Sequence, residues 1–224
     1  MKTIKEYLNE GLIKRQAGMD IRTKIEAWLK EHNITDYTIN KDLTIDVEDV
    51  NLRSYPDKEL PEYIQFNIVN GNFNVSYSQI TTLRGSPEKC GGFYCARCNN
   101  LTSLKGAPKE CKDFTCTGCA NLESLEGAPE ECEYFTCFYC HELTSCKGAP
   151  RKCKNFHTNN CKNLESLEGA PEECVLFDCF SCKKLTSLKG APKKCKVFNC
   201  MYCKGNFTKE DVEKVCNAEK IKVS

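Results

Sequence analysis

The sequence predicts a β-rich repeat solenoid, closed at one end by a helix and hairpin and at the other by a short helix. Three observations predict it. A segment returns every 21 residues, each copy is too short to hold both a strand and a full helix, and the composition can build a core. Of the 224 residues 40% are hydrophobic, which is ample for a packed interior.

The repeat is the strongest element. LTSLKGAPKEC begins at Leu101, and close copies begin at Leu122, Leu143, Leu164 and Leu185. A looser copy, ITTLRGSPEKC, begins at Ile80, so six units of 21 residues follow in register. Within a unit the frame is Cys-x-x-Phe-x-Cys-x-x-Cys-x-x-Leu-x-x-Leu-x-Gly-Ala-Pro, as in Cys111, Phe114, Cys116, Cys119, Leu122, Leu125, Gly127, Ala128 and Pro129. Phe-x-Cys alternates as a short strand must. The later i, i+3 spacing cannot continue a strand, so the chain turns there and Gly-Ala-Pro makes an extended or 3₁₀ return. One unit cannot bury its own apolar face; stacked units can.

This frame resembles the leucine-rich repeat, whose unit reads L-x-x-L-x-L-x-x-(N/C)-x-L, and is most similar to the short bacterial type found in secreted effectors. The match covers residues 80–203 in every unit, with cysteine in slots where Leu, Val or Asn is usual. The resemblance implies a curved solenoid with a parallel sheet on its concave face, used to bind proteins. The catalytic domain of some effectors has no counterpart among the residues after Cys203.

Four segments are expected: an amphipathic tail at 1–17, a helix and hairpin cap at 18–58, the solenoid at 59–203 with 59–79 as a degenerate first unit, and a cap at 204–224. The first cap begins with a helix over 20–31, Asp20 as its N-cap and Ile21, Ile25, Trp28 and Leu29 on one face. Alternation from Tyr37 to Leu52 around Asn40-Lys41-Asp42 predicts a hairpin. In the last cap Thr208 and Asp211 predict a capping box before a helix presenting Val212, Val215 and Cys216, with a strand from Lys220 to Val223.

The tail reads as a short helix with Ile4, Tyr7, Leu8 and Leu12 on one side, and Gly11 and Gly18 separate it from the cap. Its opening Met-Lys-Thr and its Leu8-Asn9-Glu10 resemble the capsid-targeting peptide of internal head proteins in large tailed phages. That resemblance implies cleavage before Gly11 and packaging in a virion.

The 19 cysteines admit three readings: buried thiols, tetrahedral zinc or disulfides. Five units carry Cys-x-x-Cys, a spacing that often marks zinc. Periodicity favours a buried reduced ladder, because Thr158 replaces one member without disturbing its unit and Cys146 takes a slot that is leucine elsewhere. No hydrophobic signal-peptide region precedes the repeats, so a reducing, cytoplasmic setting is expected.

Charge narrows the partner. With 32 basic and 31 acidic residues the net charge is +1, which argues against a nucleic-acid binder and against a membrane anchor. Lys105, Glu126, Lys147, Glu168 and Lys189 alternate in sign from unit to unit, as do Lys109, Glu130, Arg151, Glu172 and Lys193. In register, opposite charges become neighbours.

No catalytic motif accompanies the three histidines, so no enzyme, metal or cofactor is expected. The expected function is a protein-binding module, host-directed if phage-encoded. Its candidate contact residues are Tyr94, Arg97, Tyr134, Phe138, Tyr139, His157, Asn159, Leu176, Asp178, Phe180, Met201 and Tyr202, read as outward neighbours of the inward Phe and Cys. Two alternatives stand beside it: a structural component of a phage particle, and a zinc-rich structural or nucleic-acid module.

Overall fold

The computed structural model describes the backbone of residues 4–224 and the side chains of residues 17–224. It is a β-solenoid of 21-residue coils with a helix at each end. The tail residues Ile4, Tyr7, Leu8 and Leu12 and the Leu8-Asn9-Glu10 site lie outside the described side chains.

Helix α1 (Ile4–Glu31) is longer than expected. It passes through Gly11 and Gly18 without a break, so Asp20 is not an N-cap and instead pairs with Lys24 at 3.1 Å. A glycine inside a helix costs only about 1 kcal/mol, which flanking helix formers outweigh. Ile25, Trp28 and Leu29 are buried against the first coils, with Trp28 edge-on to Tyr55.

Strands β1 (Tyr37–Ile39) and β2 (Ile45–Val47) pair antiparallel. Strand β2 and the short β3 (Val50–Asn51) both lie parallel to β4 (Phe66–Asn74). From β4 the sheet grows one strand per coil through β5 (Lys89–Tyr94), β6 (Glu110–Thr115), β7 (Glu131–Thr136), β8 (Lys152–His157), β9 (Leu176–Asp178) and β10 (Lys194–Asn199). All these neighbours are parallel.

Register stacks like on like. Phe73, Phe93, Phe114, Phe135, Phe156, Phe177 and Phe198 are in-register partners and fully buried. Their rings form a spine with centroids 5.2–5.6 Å apart. The two leucines of each return, such as Leu122 and Leu125, close the other side of the core.

The return is a chain of separate hydrogen-bonded turns, for example Cys119 N–H to the Cys116 carbonyl, Leu122 N–H to Cys119 and Ala128 N–H to Leu125. Gly127 turns back at φ +97, and a Cβ there would stand 2.4 Å from the Leu104 carbonyl oxygen one coil earlier. Only glycine permits both the dihedral and the approach.

Charge alternation becomes cross-coil pairing. Lys105 meets Glu126 at 3.3 Å, and Glu168 is held by Lys147 and Lys189 at 3.4 and 2.6 Å. These pairs are exposed, and their main effect is to avoid like-charge stacking.

At the far end Thr208 and Asp211 form a reciprocal capping box on α2 (Lys209–Glu213). Val212 and Cys216 are buried there but Val215 is exposed, because so short a helix turns only one narrow face to the coils. Strand β11 (Asn217–Lys222) starts before Lys220 and pairs parallel with β10.

Candidate functional site

The Cys-x-x-Cys pairs form turns between strand and return. The thiol at the second position donates to a carbonyl of the preceding coil, with Cys161 doing so beside Thr158 in the unit that lacks the first cysteine: Cys119 to Cys95 at 3.0 Å, Cys140 to Cys116 at 3.2 Å, Cys161 to Cys137 at 3.1 Å, and Cys203 to Cys179 at 3.1 Å. Cysteine suits the slot because it fills apolar space and still supplies a donor. Desolvation pushes the Cys116 and Cys137 thiols well above their ordinary range, and burial alone pushes Cys146 up to about 12. All 19 cysteines are free thiols, and among the described residues no group of three His, Cys, Asp or Glu is arranged to hold a metal ion.

These turns carry much of the candidate face. Tyr94, Tyr134, His157, Leu176 and Asp178 lie on strands, whereas Arg97, Phe138, Tyr139, Asn159, Phe180, Met201 and Tyr202 lie in the turns that follow. The strand ends one residue after each Phe, and the left-handed residue follows three positions later. Cross-coil bonding nevertheless continues: Arg97 N–H reaches the Thr117 carbonyl at 2.8 Å, Tyr139 that of Asn159 at 3.0 Å, and Ser181 that of Met201 at 2.9 Å. The turns are therefore as firmly stacked as the strands.

The left-handed position holds Tyr77, Arg97, Gly118, Tyr139, Asn160, Ser181 and Tyr202, with φ between 56 and 73. Only one of these is glycine, the residue that takes this conformation without cost. Tyr139 and Tyr202 project from it at 51% and 55% exposure, with Tyr134 at 47% on the adjoining strand. Phe138, Leu176 and Phe180 are half-buried. Phe138 stands edge-on to His157 and Phe180 edge-on to Tyr202, so these aromatics brace one another across coils.

Between the aromatics sits a polar knot. The Asp178 carboxylate accepts from Asn159 Nδ2 at 3.1 Å, Asn199 Nδ2 at 2.9 Å and the Phe180 backbone N–H at 3.2 Å, and lies 3.7 Å from His157 Nδ1. Burial would raise this carboxyl, but the neighbouring His157 imidazole and hydrogen bonds from Asn159 and Phe180 outweigh it and hold it below its ordinary value. Asn199 is buried in this knot. Thr158, in the slot cysteine fills elsewhere, has a buried hydroxyl without a partner, as do His157 Nδ1 and Asn159 Oδ1 among side-chain polar atoms.

Sequence reasoning missed two members of this face. Tyr77 is exposed and carries the Arg53 guanidinium 4.1 Å above its ring, with Arg97 at 5.6 Å. Val175 is exposed in the slot that holds Lys112, Glu133, Lys154 and Lys196 in other coils. Tyr77 precedes the regular repeat, so its slot was hidden; the break in the charge pattern at Val175 was visible.

Comparison with protein-family profiles, with curated proteins and with solved structures finds no match.

Proposed function

We propose that this protein is a protein-interaction module whose contact surface is the outer face of the sheet and the left-handed turns beside it. One observation carries the reading: Tyr139 and Tyr202 stand half in solvent on backbone held at φ 57 and 59. A scaffold under selection for stability alone would place glycine or asparagine there. Bulky left-handed residues cost about 1 kcal/mol or more each and are retained where the side chain has a task. Exposed tyrosine on rigid backbone is the residue type that anchors protein interfaces, because it buries much area with few rotamers to freeze.

The 21-residue coil and its Gly-Ala-Pro return resemble the short bacterial leucine-rich repeat, a resemblance that supports a protein as the ligand. Free thiols throughout are consistent with a reducing compartment. Among the described residues no helix is long and apolar enough to cross a membrane.

The test is affinity capture from bacterial cytosol under reducing conditions, comparing wild type with Tyr134→Ser/Tyr139→Gly/Tyr202→Gly. The glycines relax the backbone, so the variant should fold at least as well as wild type while losing the captured protein. A partner retained by the variant, or none held by either chain, overturns the reading.

A further inference from the structure

A second set of thiols differs from the Cys-x-x-Cys turns. It opens at Cys90, recurs every 21 residues to Cys216, and falls at or just before the start of each successive strand. The turn thiols are sealed in the core, but Cys111, Cys132, Cys153 and Cys174 of this column line a groove walled by Lys112, Glu131, Arg151, Lys154 and Glu172. Cys132 and Cys174 are partly open to it. The Cys132 thiol approaches the Cys153 sulfur to 3.6 Å, and Cys195 and Cys216 lie 3.5 Å apart.

Three chemistries could use such a row. A disulfide needs the sulfurs at about 2.05 Å and the Cβ atoms about 3.8 Å apart. Cys132 and Cys153 are in-register partners on parallel strands, whose equivalent Cβ atoms sit about 4.8 Å apart. Closing the bond would draw two coils together by about 1 Å against a phenylalanine spine already in contact. Tetrahedral zinc needs four converging donors, and a straight column offers none. A two-coordinate soft cation fits the backbone: with metal–sulfur bonds of about 2.3 Å a linear S–metal–S unit spans about 4.6 Å, so sulfurs 3.5–3.6 Å apart in the free chain spread to about the strand spacing by rotation about their Cα–Cβ bonds, with no movement of the coils.

We propose that this column binds monovalent copper, each ion held linearly between the sulfurs of adjacent coils. Thiolates select this cation because both partners are polarisable. The step is proton exchange without redox: two thiols and one copper(I) give one S–Cu–S bridge with a single negative charge and release two protons. Lys112, Arg151 and Lys154 on the groove wall offset that charge.

The test is an anaerobic titration of the full chain with copper(I), supplied as its acetonitrile complex against a chromogenic copper(I) chelator, with bound ions counted by native mass spectrometry. Wild type should withdraw copper from the chelator. Cys132→Ser/Cys153→Ser should bind at least one ion fewer, and Cys146→Leu, which removes a buried cysteine outside the column, should bind as many as wild type. Equal uptake by all three chains, failure of wild type to compete, or displacement of copper by zinc overturns the proposal. A second readout needs no variant: maleimide should label Cys132 and Cys174 in the free wild-type chain and spare them once copper is added. Undiminished labelling of Cys132, or recovery of a Cys132–Cys153 disulfide in place of bound copper, also overturns it.

Discussion

The Cys140 thiol donates to the carbonyl oxygen of Cys116, one coil back, at 3.2 Å, and that single contact explains why the repeat uses cysteine where a larger apolar residue would fit. The carbonyl lies in a turn beyond the strand ladder, where the Cys119 N–H also reaches it at 3.3 Å, so the thiol supplies its second hydrogen bond. Such a bond is worth about 0.5–1.5 kcal/mol. Cys140→Val should therefore lower stability by about that amount although it keeps the bulk, and Cys140→Ser should cost less because it keeps the donor. Urea denaturation in a reducing buffer distinguishes the two; equal losses would show that packing alone sets the residue.

Thr158 offers the reverse experiment. Its hydroxyl is buried without a partner in the slot that holds cysteine in five other coils. Thr158→Val keeps the shape and removes the orphaned group, and should raise stability by about 1–2 kcal/mol. A lower urea midpoint for Thr158→Val would mean that the hydroxyl is satisfied in solution.

Ser181 occupies the left-handed position at φ 60. Ser181→Gly should stabilise by about 1 kcal/mol, and Ser181→Val, β-branched in that region, should destabilise by more. Thermal unfolding of the two variants checks the sign of each change.

Asp178 should mark the acid limb of stability. Its carboxyl is held below its ordinary value in the fold, so its contribution is complete above the unfolded pKa, near 3.9, and is lost as pH falls through the lower folded value. Asp178→Asn should cost about 1.5–3 kcal/mol at neutral pH and flatten the loss of stability below about pH 4. Identical pH profiles for wild type and variant would assign the acid limb to other carboxylates.

Gly148 tests the return. A Cβ there would stand 2.4 Å from the Glu126 backbone nitrogen, with φ at +87. Gly148→Ala should cost about 3 kcal/mol or more, because neither neighbouring coil can withdraw. Near-native stability in that variant would show the stacked returns to be pliant.

Much of this was legible because period and identity coincide. Phe114, Leu122 and Gly127 recur at one spacing, and each has a single physical use: fill, fill and turn. The left-handed turn was not legible, since Tyr139, Asn160 and Ser181 share a conformation without sharing a side chain. The Asp178 knot was hidden for a related reason. His157, Asp178 and Asn199 come from three different coils, and only register brings them together. Helix α1 was misjudged at Asp20 because capping residues also serve as ordinary exposed partners, here to Lys24. The cysteines were read mostly as a buried ladder, yet Cys132 and Cys174 reach the groove at the edge where the strands begin.

The phenylalanine spine gives the molecule a graduated scale. Each ring marks one coil, its centroid 5.2–5.6 Å from the next across strands about 4.8 Å apart, with no insertion between Phe93 and Phe198 to blur the count. Distances along the outer face are therefore integers of one pitch: Tyr139 and Tyr202, three coils apart, are held about 14 Å from one another. A ligand whose two receptive pockets match that interval gains both anchors, and one whose pockets fall between marks gains only one. Selectivity can thus reside in spacing as well as in chemistry, and adding or removing a whole coil would change it by a fixed step.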